Sequence, residues 1–226
     1  MMAKYFALVG DLAKSRKQTE RLLLAEQIEE VIRLVNDRFA QDFLAPLETT
    51  RGLDEVSSLL KEPTHAFDIV RSVNVLLWPA TFRFGLGEGT VDVWGNNRRA
   101  SDMDGPAFHR AADALERGRK SDTLFSVDMY DLPHVTTSLI EASGRLYQAV
   151  MRDWTASSAR AIRIYRPVDR QAKTLTQERV AAHLGQSQQA VSDAIRRGHL
   201  EELTSAEDAI RLALDLKALP LVRNNA

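Results

Sequence analysis

Apolar residues along this chain fall into two kinds of run. Short continuous or alternating runs predict strands, and longer ones spaced three and four apart predict amphipathic helices. Tyr5–Val9 is a continuous apolar run that stops at Gly10 and Asp11, the pattern of a buried strand and its exit. From about Gln18 the spacing turns helical, with Leu22, Leu23, Ile28, Val31, Ile32 and Val35 on one stripe that runs to Asn36. Phe43–Thr50 and Val56–Leu60 predict two strands, and Arg51 to Glu55 between them, with Gly52 near Asp54, predicts a hairpin tip. Pro63 and Thr64 open a second helix carrying Phe67, Val70, Val73, Val75 and Leu76, which ends before Pro79. Thr81–Glu88 alternates as a strand does, and its glycines mark a place where another backbone or a ligand comes close. A loop over Asn96–Asp104, a helix from Ala107 to about Arg117 and a strand at Leu124–Met129 complete the pattern. The order β-α-β-β-α-β-α-β contains the ferredoxin-like split βαβ unit with one helix and one strand added.

After Pro133 the character changes. Val135–Trp154 predicts an amphipathic helix, a Ser/Ala stretch and the basic segment Arg160–Arg170 follow, and the remainder reads as short helices. The most specific local signal begins at Thr176, which is placed to cap a helix whose inner face is Val180, Ala181 and Leu184. Gly185 permits the left-handed closing turn, Ser187 caps the next helix, and Val191 and Ile195 pack back. Two short helices around such a turn predict a helix-turn-helix. Its second helix would offer Gln188, Gln189 and Ser192 to base edges, with Ser187, Arg196 and Arg197 as further DNA-binding residues. A packing or dimerisation role for the same helix pair is the alternative.

Composition narrows the class. The chain has 226 residues, 44% hydrophobic and 27% charged, enough for a core and too apolar for a disordered tail. The absence of Cys excludes disulfides, thiolate metal sites and a cysteine nucleophile. No apolar run approaches membrane-spanning length, and the first residues are too short an apolar stretch for a secretory signal, so the expected location is the cytoplasm. The net charge of -1 averages over an uneven chain: Arg160–Leu200 carries roughly +5, where the predicted helix-turn-helix sits. The expected organisation is a domain over residues 1–131, a linker helix over 132–159 and a helical domain over 160–226.

Three blocks, Val9–Arg16 (VGDLAKSR), Arg83–Gly89 (RFGLGEG) and Asp102–Leu115 (DMDGPAFHRAADAL), resemble the bacterial SatD family, as does the terminal helix-turn-helix. The hairpin Gly52–Lys61 resembles a diverged form of that family's Gly-Asp-Glu segment. More distantly, these blocks resemble class III and GGDEF nucleotidyl cyclases, which implies an α+β, ferredoxin-like cyclase-like domain followed by an all-α helix-turn-helix domain. In such enzymes two carboxylates hold Mg2+ on a triphosphate. The resemblance puts Asp11 and Asp54 at those metal positions, Glu55 beside them, and Ser15 and Arg16 where phosphates bind. The chain departs from the pattern at Leu53, which separates Gly52 from Asp54, and at His109 and Asp113, where cyclases carry Asn and Arg. An Asp cannot stabilise developing negative charge as Arg does. The expectation is therefore a dimeric DNA-binding regulator whose degenerate cyclase-like domain senses a ligand, with a nucleotide the first candidate. A Mg2+-dependent nucleotidyl cyclase or nucleotidyltransferase and a non-catalytic dimeric adaptor are the alternatives.

Overall fold

The computed structural model describes residues 3–13, 18–52, 54–94, 97–166 and 174–218, without the side chains of 18–21, 51 and 216–218. Five strands form one mixed sheet: β1 (Tyr5–Leu12), β2 (Phe43–Arg51), β3 (Glu55–Leu60), β4 (Phe82–Gly89) and β5 (Phe125–Asp128). Their order is β2-β3-β1-β4-β5, with neighbours antiparallel except β4 and β5, which run parallel. Helices α1 (Gln18–Arg38), α2 (Ala66–Leu77) and α3 (Pro106–Ser121) join the strands, and a 3-10 turn at Ala100–Asp102 lies in the loop before α3. Five helices follow: α4 (His134–Arg152), α5 (Ala156–Tyr165), α6 (Gln177–Leu184), α7 (Gln188–Arg197) and α8 (Leu200–Ala218). The architecture is α+β, a sheet with helices followed by an all-helical region. No helix among the described residues is long and apolar enough to cross a membrane.

The two-residue period of the strands divides the sheet into two faces. Phe6, Leu8 and Leu12 of β1 and Phe82, Phe84 and Leu86 of β4 are buried with Ile28, Val31 and Val35 of α1 and Phe67 and Val70 of α2. Ala7, Ala45 and Leu59 point to the other face, under Ala107, Phe108 and Ala111 of α3. On that second face the glycines of β4 set the geometry. A Cβ at Gly89 would fall on Ala107, one at Gly87 on the backbone of Ala107 and Ala111, and one at Gly85 on the backbone of Ala111 and Leu115. Each step of two along the strand, about 6.7 Å, thus matches a step of four along the helix, about 6 Å. The next step along the strand is Arg83 and along the helix Arg119, and both stand beside Asp11.

The outer edge at β2 is irregular, with register shifts on either side of Ala45. There the Asn36 side chain of α1 donates to the Leu47 carbonyl at 2.8 Å and accepts from the Leu47 amide at 2.9 Å.

The helical region shares the first core: Tyr147, Trp154, Ile162, Val191, Leu203 and Leu214 belong to the same buried cluster as the sheet residues. At its centre is Glu207 of α8, only 1% exposed. Tyr147 Oη donates to its Oε1 at 2.8 Å and Arg166 Nη2 to its Oε2 at 2.9 Å, while Arg71 Nε stands 3.9 Å away. Burial first, and the Glu207 charge second, push the Tyr147 phenol well up, so it remains a donor. A second pair crosses the same boundary, Arg211 bidentate on Asp68 at 2.6 and 2.8 Å. Three outcomes are expected in urea denaturation. Gly87→Ala, which forces backbone apart, costs about 3 kcal/mol or more, whereas Gly52→Ala, in open space at φ +61°, costs about 1 kcal/mol. Glu207→Ala strands the cations of Arg71 and Arg166 and costs about 3 kcal/mol.

Candidate functional site

Asp11 lies near the C-terminal end of β1 on the α3 face. Its register partners are Glu55 on β3 and Arg83 on β4, so the three side chains form a row across the sheet. Arg119, delivered by the glycine ladder, donates its Nε to Asp11 Oδ2 at 3.0 Å. Asp11 Oδ1 and Arg83 Nε are both buried without a hydrogen-bond partner. Arg83 Nη2 reaches on to Asp122 Oδ1 at 2.7 Å, and Arg152 Nη2 takes Asp122 Oδ2 at 2.6 Å. Asp122 holds the left-handed C-cap of α3, φ 53°. The Gln148 amide, oriented to satisfy both of its ends, donates to the Asp122 carbonyl at 2.8 Å and accepts from Arg152 at 2.9 Å. A chain of alternating charges therefore runs from α3 through the sheet row to the end of α4.

Asp54 is exposed at the hairpin tip, where its carbonyl accepts from the Leu12 amide at 2.8 Å. The hairpin is thus tied to the end of β1 through the backbone, and Glu55 rather than Asp54 stands in register with Asp11. Ser15 and Arg16 lie outside the described residues, as does Leu53. This donor set does not fit Mg2+. A guanidinium occupies one oxygen of Asp11, and burial favours the neutral acid there. On α3, His109 is exposed and pairs with Asp104 at 2.9 Å, the same residue whose carboxylate accepts from the Gly105 amide at the helix start. Arg110 is bound to Asp128 at 2.7 Å and stacks on Tyr130, 3.6 Å from the ring centre.

The C-terminal pair carries the local geometry that its residues predict. The Thr176 hydroxyl accepts from the Arg179 amide, Gly185 sits at φ 63°, ψ 34°, and the Ser187 hydroxyl accepts from the Ala190 amide. Val191, Ala194 and Ile195 are buried, while Gln186 to Ala190, Arg196 and Arg197 are exposed and Ser192 is half-buried. Asp193 holds Arg196 at 2.6 Å and Gln189 at 3.2 Å. The basic stretch is less available than its charge suggests. Arg163 points inward, donating to the carbonyls of Val75 and Trp78 at 2.7 Å, and Arg166 is taken by Glu207 and Thr204. Arg170 and Lys173 lie outside the described residues. Arg160, Arg179, Arg196 and Arg197 remain exposed.

The sequence blocks and this arrangement meet in one comparison: the model of the SatD family matches residues 5–202. The chain belongs to the SatD family. No curated protein matches it significantly. In this SatD-family chain the match takes in the whole sheet, the charged row and both helices of the capped pair. Of the residues that complete the row, Arg83 opens the RFGLGEG block without a role assigned to it there, and Arg119, Asp122 and Arg152 lie outside the sequence motifs. The regular spacing of the β4 glycines, continued by one step, leads to Arg83.

Opposite influences on two aspartates of this SatD-family site give a pH signature. Burial is the larger influence on Asp11 and pushes its carboxyl up, against Arg119. Hydrogen bonds from Arg83, then Arg152, hold Asp122 down. An acid raised on folding adds stability as pH falls through its folded value towards its unfolded one. An acid lowered on folding contributes stability above its unfolded value and loses it as pH falls through the folded one. In urea midpoints across a pH series, Asp11→Asn should remove a gain on acidification just above the ordinary aspartate range. Asp122→Asn should remove a loss below that range.

Proposed function

We propose that this SatD-family protein is a DNA-binding regulator. In this reading α6 and α7 form a helix-turn-helix, and the order β2-β3-β1-β4 with alternating directions is a ferredoxin-like, cyclase-like core that senses a ligand instead of turning over a nucleotide. The observation that carries it is the capped α6–α7 pair, in which a left-handed glycine and two hydroxyl caps orient five successive exposed residues, Gln186 to Ala190, at the start of α7. Gln188 and Gln189 are suited to adenine edges, and Arg179 and Arg197 to phosphates. Residues 1–131 act as the sensing unit and 160–226 as the reading unit, with α4 between them. Val135, Leu139 and Leu146 stand exposed along one side of α4, at a spacing of four and seven. The reading assigns that side to a second copy, since such modules bind paired half-sites.

Against turnover stand the Arg119 guanidinium on Asp11 and the exposed position of Asp54. The resemblance to cyclases supports a nucleotide as the sensed ligand, with Asp11, Ser15, Arg16, Asp54 and Glu55 as its contacts.

Gel shifts of the full chain on random-sequence duplexes across a salt series test the proposal. Arg197→Ala should weaken binding on every sequence and lower the slope of log affinity against log salt by about one. Gln189→Ala should relax base preference by about 1 kcal/mol or more at one position. Parental affinity in Arg197→Ala, Gln189→Ala and Arg196→Ala alike would sink the reading.

A further inference from the structure

Beyond the charged row, the sheet ends in a cavity of about 780 Å³, within the range of small-molecule sites. It lies between the start of α1, the α2–β4 connection and the ends of α3 and α4. One wall is apolar: Leu12, Leu23, Leu24, Leu77 and Trp78, with Pro79. The other is polar and carries Arg83, Asp122, Gln148 and Arg152.

The polar wall has two guanidinium groups and one carboxylate, an excess of one positive charge. Asp122 uses one terminal nitrogen of each arginine, and a guanidinium has five N–H donors, so both arginines keep donor capacity. Asp122 and Gln148 hold the two guanidinium groups in place, so little ordering remains to be done when an anion arrives. The leucines and the Trp78 indole of the same lining offer apolar surface. The indole nitrogen is already spent on the Met151 carbonyl at 3.0 Å, which leaves the ring no polar role towards the cavity.

We infer that this cavity binds a small amphipathic organic anion, with its carboxylate or phosphate head on Arg83 and Arg152 and its apolar body against Leu23, Leu24 and Trp78. This names the ligand class of the sensing unit; it rests on that half of the proposed function and not on DNA contact. Trp154, two residues after Arg152 in the chain, donates its indole N–H to the Gly198 carbonyl at the end of α7.

Titration of the full chain in the absence of DNA tests the site, read by tryptophan fluorescence and by the shift in melting temperature. The probes are phenyl phosphate, phenylacetate, inorganic phosphate and benzyl alcohol. Saturable binding of phenyl phosphate or phenylacetate is expected, with inorganic phosphate and benzyl alcohol at least about tenfold weaker. The tighter of the two acids identifies the head group. Arg152→Gln removes a half-exposed guanidinium while Arg83 keeps Asp122, and should weaken the acids about tenfold. Ala80→Leu, which adds bulk to the wall, should weaken them too. Binding of benzyl alcohol as tight as the acids, acids unaffected by both variants, or no response to either acid at millimolar concentration overturns the inference. Each of these results is independent of the gel shifts, which alone decide DNA contact.

Discussion

The absence of three side chains governs the architecture. Because Gly85, Gly87 and Gly89 carry no Cβ, the backbone of α3 rests directly on β4, and the second face of the sheet is closed by a helix instead of by a thick layer of side chains. The approach also sets the phase of α3. A helix seated by three successive turns has no freedom to rotate, so its last turn must present Arg119 to Asp11 and its C-cap must present Asp122 to Arg83 and Arg152. The charged row, the polar wall of the cavity and the placement of α4 all descend from that contact.

On the opposite face the governing feature is a buried carboxylate. Glu207 gathers Tyr147 of α4 and Arg166 just after α5, with Arg71 of α2 alongside, and Arg211 on Asp68 repeats the link one helical turn further on. Charges buried this deeply are tolerated only when satisfied, and they reward one arrangement of the helices over its near alternatives. Arg163 extends the fastening to the carbonyls at the end of α2. These polar contacts hold α5 and α8 against the sheet-bearing part, and the capped pair packs with them through a continuous apolar core.

Local chemistry made much of this legible. Caps and closing turns need only residues a few positions apart, so Thr176, Gly185 and Ser187 announce α6 and α7, and the periodicity of apolar positions announces every strand. The β4 glycines announce a close approach, though not what approaches. The candidate site was less legible, because its contacts are made across the fold. Asp11 and Arg119 are 108 positions apart, and nothing in either neighbourhood names the other. The cyclase resemblance paired Asp11 with Asp54, but strand register sets Glu55 opposite it. The net charge of Arg160–Leu200 includes Arg163 and Arg166, and composition carries no direction: each turns inward to a carbonyl or a carboxylate. The Ser/Ala stretch before the basic segment hid α5, and the region expected to hold only short helices ends in the 19-residue α8, whose polar residues include the buried Glu207.

The side chain of Asn36 has a meaning outside the chain that carries it. By filling both the donor and the acceptor of Leu47, it occupies backbone valences at the rim of the sheet that a foreign strand would need for docking. An amide thus acts there as a one-residue counterfeit of a sixth strand. A foreign strand docking at Leu47 would first have to displace that amide.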